Sequence, residues 1–291
     1  MSVERKVEMS SLFSGLEKFG LVNFKGVSLF EKEEKQDTEK EEPEVVIQTA
    51  RESDMIFEKT YRCPVCDRNF KSKCVMAGKT KLVSVDTDLR PKYLLTDCTK
   101  YDVIMCNNCG YSALTRFFGN VTATQAKQIK ENISANFRAM DYPDNTYSYD
   151  EAILRYQLAL ANAVVKKGKI SERAYTCLKI AWLYRGKAEN LDMEDVDYDE
   201  KLQECKNEEK EFICNAYEGF LAAMEKELFP ICGMDESTYM YLVADLARRC
   251  KDYENAAKLI SQILTSRAAS QKVKERTRDL KELIKEELGN K

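Results

Sequence analysis

The chain has 291 residues, 44% hydrophobic and 33% charged, which is enough for one large or two moderate domains with a buried core. It contains no histidine, which excludes Ser-His-Asp and Cys-His nucleophile systems and the HExxH metalloproteases. A net charge of −3 argues against a dedicated nucleic-acid binder. Glycine (11) and proline (5) are scarce, which favours helix over turn-rich β structure. The 11 cysteines, the lack of a long apolar run and the lack of a signal-peptide pattern lead us to expect a soluble chain in a reducing cytosol.

In chain order, residues 1–30 carry a short amphipathic segment, with Leu12, Phe13, Leu16 and Phe19 at helical spacing. Docking on its own protein, partner binding and a membrane surface are all open to it. Residues 31–54 begin with an acidic stretch (31–44) that holds nothing apolar, so a disordered linker is expected.

Residues 55–118 form the next unit. It opens on Cys63-Pro64-Val65-Cys66 and closes on Cys106-Asn107-Asn108-Cys109-Gly110, with 39 residues between the two pairs. One CxxC is weak evidence, but two read as a four-thiolate zinc site. Zn²⁺ prefers four soft ligands in a tetrahedron, and each CxxC turn aims two sulfurs at one point. The expected metal ligands are Cys63, Cys66, Cys106 and Cys109, in a closed, structural zinc-ribbon-like β module. Cys74 and Cys98 lack CxxC partners and are expected to stand outside the site. Strands are expected at Ile56–Tyr61, Lys81–Val85 and Asp102–Met105. Arg62, Arg68, Lys71 and Lys73 make the first knuckle basic, a patch suited to a solvated surface or to phosphate contacts. Gly78-Lys79-Thr80 lacks the upstream glycine of a phosphate-binding P-loop.

Residues 119–291 read as helical. A first helix from Thr122 presents Ala126, Ile129, Ile133 and Phe137, and the stretch Asp141 to Asn145 ends it. Helices follow at about 150–167, from Ser171 to Arg185 and Gly186, and at about 208–228, 235–250, 253–266 and 271–288, with Asp235 and Ser270 as N-caps. Asp195, Asp197 and Asp199 resemble the start of a calcium loop. Glu200 and Lys206 stand at its glycine and glutamate positions, so a solvated loop is expected. Cys177, Cys214, Cys250 and Trp182 are expected in the core. Small and large residues alternate as in the tetratricopeptide pattern, most completely over Tyr241–Leu264, where Ala244, Ala247, Ala256 and Ile260 fall at signature positions. The fold class expected is therefore mostly α: a small four-cysteine β module, then an α-α superhelix of tetratricopeptide-like helix pairs. Plain antiparallel helix packing is the alternative.

Several motifs together resemble a bacterial family catalogued as domain of unknown function 2225. They are Cys63-Pro64-Val65-Cys66, Asp86-Thr87-Asp88, Tyr101-Asp102-Val103, Cys106 to Ala113, Ala181-Trp182-Leu183-Tyr184-Arg185, and Asp252 to Ala257. The resemblance spans roughly residues 55–288 and implies a zinc-ribbon-like part and a tetratricopeptide-like part, with no known reaction. Where the family has an Asn-Pro pair before the Tyr-Asp-Val step, this chain has Asp97-Cys98-Thr99-Lys100.

The function expected is a non-enzymatic cytosolic scaffold that binds a partner protein or peptide through its helical array. A nucleic-acid-associated factor using the basic ribbon is the alternative. A metal-adjacent enzyme is third, with Asp86, Asp88, Tyr93 and Asp102 as its candidate groups.

Overall fold

Three short antiparallel hairpins come first and a run of helices follows, in a computed structural model that describes residues 51–140 and 144–289. The amphipathic segment 1–30 and the acidic stretch 31–44 lie outside the described residues. Strand β1 (Ile56–Arg62) pairs with β2 (Asn69–Val75), with Ile56 opposite Val75 and Arg62 opposite Asn69. β3 (Leu82–Val85) pairs with β4 (Pro91–Tyr93), and β5 (Val103–Met105) with β6 (Ser112–Leu114). Three of the strands were expected. The partners β2, β4 and β6 are short or mixed in polarity, so their sequences carry no strand signal.

The helices are α1 (Ala123–Ile129), α2 (Tyr149–Val165), α3 (Ile170–Glu189), α4 (Tyr198–Lys226), α5 (Glu236–Arg249), α6 (Tyr253–Thr265) and α7 (Gln271–Gly289). From α2 onward each packs on the next in sequence. Side-chain caps fix several starts. Ser148 and Glu151 form a capping box on α2, Asp235 accepts from the Thr238 N–H, and Asp252 accepts from the Asn255 N–H.

Three boundaries differ from expectation for identifiable reasons. α1 ends at Ile129 and continues only as a wide turn over Lys130–Ser134, so Phe137 leaves the helix. Gly186 does not stop α3; it lies inside the helix, where an added Cβ would stand 2.7 Å from the Tyr149 ring. Its role is close approach rather than termination. α4 begins at Tyr198 and absorbs part of the acidic loop. Asp199 and Glu200 suit the positive end of the helix dipole, while Lys201 bridges Asp195 and Asp197 at 2.8 and 3.2 Å.

A two-stranded hairpin is marginal in isolation, and β5–β6 shares its core with helices. Val103 and Leu114 are buried in one cluster with Ala152, Ile153, Tyr156, Ile180 and Leu183 of α2 and α3. Polar ties run along the same seam. Arg155 Nη2 donates to the Val103 carbonyl at 2.8 Å, and the Tyr156 hydroxyl to the Thr99 carbonyl at 2.7 Å. The larger core, from α3 to α7, gathers Leu178, Trp182, Phe220, Tyr239, Leu242 and Leu246. Cys177 is buried in it. Cys214 and Cys250, expected in the core, are only half-buried, Cys250 packing at its margin with its sulfur 2.8 Å from that of Cys214.

Candidate metal centre

Each CxxC sits at the tip of a hairpin, the first between β1 and β2 and the second between β5 and β6. The two turns repeat one backbone pattern. Cys63 N–H donates to the Arg68 carbonyl at 3.0 Å, as Cys106 N–H does to the Tyr111 carbonyl at 2.8 Å. Asp67 N–H closes back on the Cys63 carbonyl, and Gly110 N–H on the Cys106 carbonyl, both at 2.9 Å. The fifth position is left-handed in both, φ +61 at Asp67 and φ +73 at Gly110. Aspartate tolerates this region better than most residues, and glycine occupies it freely.

The four sulfurs converge, all within 4.8 Å of one another. Cys63 and Cys109 are 3.6 Å apart, and Cys66 and Cys106 3.7 Å. A tetrahedral metal about 2.3 Å from each sulfur has edges of about 3.8 Å, so the cluster has the size such an ion needs. Cys63, Cys106 and Cys109 are buried and Cys66 half-buried. Hydrogen bonds from Cys109 and Cys63 hold Cys106 below the ordinary thiol value, and the contacts with Cys106 push Cys109 and Cys63 up. Four thiolates packed this closely repel one another, and a cation among them offsets that repulsion. The donor set and its geometry fit a metal ion.

The surroundings hold the turns rigid. Val65, Phe70, Tyr111, Phe118 and Ile129 bury the cysteines in an apolar cluster. Ser134 Oγ donates to the Cys109 carbonyl at 2.7 Å, and Asn162 Nδ2 to the Gly110 carbonyl at 3.0 Å. The Phe137 ring lies where a Gly110 side chain would begin, 2.5 Å from an added Cβ. Sequence reasoning missed Ser134, Phe137 and Asn162, because nothing local links them to a knuckle. Gly110→Ala combines left-handed strain with a clash against that ring and should destabilise by about 2–4 kcal/mol in urea unfolding. Asp67→Gly, at the matching but glycine-tolerant position, should be neutral or stabilising in the same measurement.

Cys74 and Cys98 stand outside the group of four, Cys74 within 3.1 Å of the Tyr61 hydroxyl. The carboxylates singled out for catalysis are held elsewhere. Asp88, fully buried, accepts from Arg185 Nη2 at 2.6 Å and from the Trp182 indole at 3.1 Å. Asp86 pairs with the same arginine at 2.9 Å. Burial alone would raise Asp88, but Arg185 and Arg249 outweigh it and hold the carboxyl below its ordinary value. Asp102 pairs with the buried Lys179 at 2.7 Å. Tyr93, pushed up by burial, lines a 410 Å³ cavity with Asp102 and Lys179. The Asp86-Thr87-Asp88 and Trp182–Arg185 motifs therefore meet in one ion-pair lattice, a pairing the sequence does not reveal.

The basic patch of the first knuckle is largely engaged. Lys71 pairs with Glu58 at 3.1 Å and Arg62 with Asp67 at 3.5 Å. Lys73 is buried, donates to the Asp144 carbonyl and stands over the Tyr147 ring. Among the described residues no helix is long and apolar enough to cross a membrane.

No curated protein and no solved structure matches the chain. One family model does, over residues 56–284, and it spans both cysteine hairpins and the helices through most of α7. The chain belongs to that family, DUF2225, described as an uncharacterized protein conserved in bacteria.

Proposed function

We propose that this chain is a non-enzymatic, zinc-binding scaffold of the bacterial cytosol that docks a partner protein. The observation that carries the reading is the set of four converging thiols in a chain without histidine. Four protein thiolates on Zn²⁺ leave no open position for water or substrate, so the metal fastens two hairpins rather than performing chemistry. Soft thiolates favour zinc over hard divalent cations. The 11 cysteines are all free, which suits a reducing compartment. Asp86, Asp88 and Asp102 are committed to arginine or lysine, which argues against a catalytic use.

Two features support docking. The helices stack in sequence order, and on this reading they are tetratricopeptide-like pairs. Hairpin β3–β4 and the two residues after it present apolar side chains to solvent: Val83 is 63% exposed, Leu94 51%, Leu82 50% and Leu95 48%. An apolar group of this kind on a short edge hairpin is what a protein partner covers. The nucleic-acid alternative has less support, since Arg62, Lys71 and Lys73 are already engaged.

The test compares full-length baits, wild type against a Val83→Asp/Leu94→Asp double variant that retains its metal. A protein co-purifying in near-stoichiometric amount with wild type, resistant to nuclease and lost from the variant, is the expected result. Equal recovery by both baits, or recovery of nucleic acid alone, would overturn the docking surface.

A further inference from the structure

A cleft of about 600 Å³ opens between α4, the end of α5, the α5–α6 turn and α7, far along the chain from the four metal-binding cysteines. Arg248 and Arg249 line it at the end of α5, and the fully buried Asp245 holds both. Asp245 Oδ1 accepts from Arg248 Nε and Nη2 at 2.9 and 2.8 Å, and Oδ2 accepts from Arg249 Nε at 2.8 Å. Thr87 Oγ1 accepts from Arg249 Nη2 at 3.0 Å, and Glu287 accepts from Arg248 Nη1. Arg249 also lies 3.7 Å from Asp88 and 3.9 Å from Glu209. Two guanidiniums are thus fixed in place, and each retains N–H groups beyond those the hydrogen bonds use.

Three lysines complete the lining. Lys206 and Lys210 stand on successive turns of α4, and Lys251 stands in the α5–α6 turn. All three are exposed, and none forms an ion pair among the described residues. The cleft therefore carries five cations against Glu209 and Glu287, and stays positive with Asp245 and Asp88 counted as well. Planar guanidinium forks match phosphate and carboxylate oxygens, and mobile ammonium groups add charge at the rim. The volume is that of a small-molecule pocket.

We propose that this cleft binds a small polyanion, a molecule carrying two or more phosphate or carboxylate groups. The arginines, immobilised beforehand by Asp245, grip one anionic group, and the lysines neutralise the others. This site lies apart from the four metal-binding cysteines, and Thr87 and Asp88 of the β3–β4 turn brace its Arg249 from behind.

Isothermal titration calorimetry on the full chain, with its metal retained and its metal content checked after titration, tests the proposal. The titrants are inorganic pyrophosphate and tricarballylate, which separate phosphate from carboxylate ligands. At least one should bind saturably at one site per chain. Lys206→Ala, Lys210→Ala and Lys251→Ala should each weaken it about threefold, and the triple variant about thirtyfold, with the loss shrinking as salt rises. Lys127→Ala, on α1, should change nothing. Absence of binding by both anions, or equal binding by wild type and the triple variant, would overturn the site. So would an oligoglutamate peptide or single-stranded RNA that binds through these lysines more tightly than either small anion.

Discussion

Replacing Asp88 with asparagine should cost about 3–5 kcal/mol of stability, the expected penalty for removing one partner from a buried ion pair. Asp88 is fully buried and receives Arg185 at 2.6 Å, Arg249 at 3.7 Å and the Trp182 indole at 3.1 Å. The variant leaves two guanidiniums at the base of α3 and α5 facing a neutral group. The loss has a pH signature. Arginine neighbours depress the carboxyl in the folded protein below its ordinary value of 3.8. Asp88 therefore contributes fully above that value, and the contribution disappears as pH falls through the lower folded value. The stability gap between wild type and Asp88→Asn, read from urea midpoints, should be flat above about pH 5 and close progressively below about pH 4. A gap that widens with acid would contradict the ion-pair assignment.

The second large effect concerns the metal. Cys106→Ser should yield protein without bound metal and with hairpins β1–β2 and β5–β6 unfolded. Apparent binding free energies for structural zinc run about 10–16 kcal/mol, comparable to the entire net stability of a domain. The packing favours a linked response, because Val103, Leu114, Arg155, Tyr156 and Asn162 join hairpin β5–β6 to α2. Hydrogen exchange should accordingly show lost protection spreading from the hairpins into α2, while α5 to α7, at the far end of the larger core that α3 to α7 share, remain protected. Cys74→Ser and Cys98→Ser should leave metal and protection unchanged.

The parts legible in the sequence are those governed by local rules. Helices α2, α5, α6 and α7 show in their apolar spacing and caps, and the cysteine group shows in the CxxC spacing. What escaped the sequence depends on distant partners. Gly186 reads as a stop because glycine ends helices; only the Tyr149 ring above it reveals a close approach. Nothing in the sequence marks Lys179 as an interior residue, yet it is buried against Asp102. Asp88 reads as a catalytic candidate, and its arginine partners lie about a hundred residues away or more, beyond the reach of any periodic pattern.

On the proposed reading, Cys63, Cys66, Cys106 and Cys109 together hold one zinc ion. Elemental analysis of protein purified without added metal, combined with counting of thiols that react in the native state, tests it most directly. About one zinc per chain is expected, with these four thiols unreactive until a chelator is added, and no zinc in Cys106→Ser. Zinc-free wild-type protein with the four thiols freely reactive, or a full equivalent of zinc retained by Cys106→Ser, would contradict it.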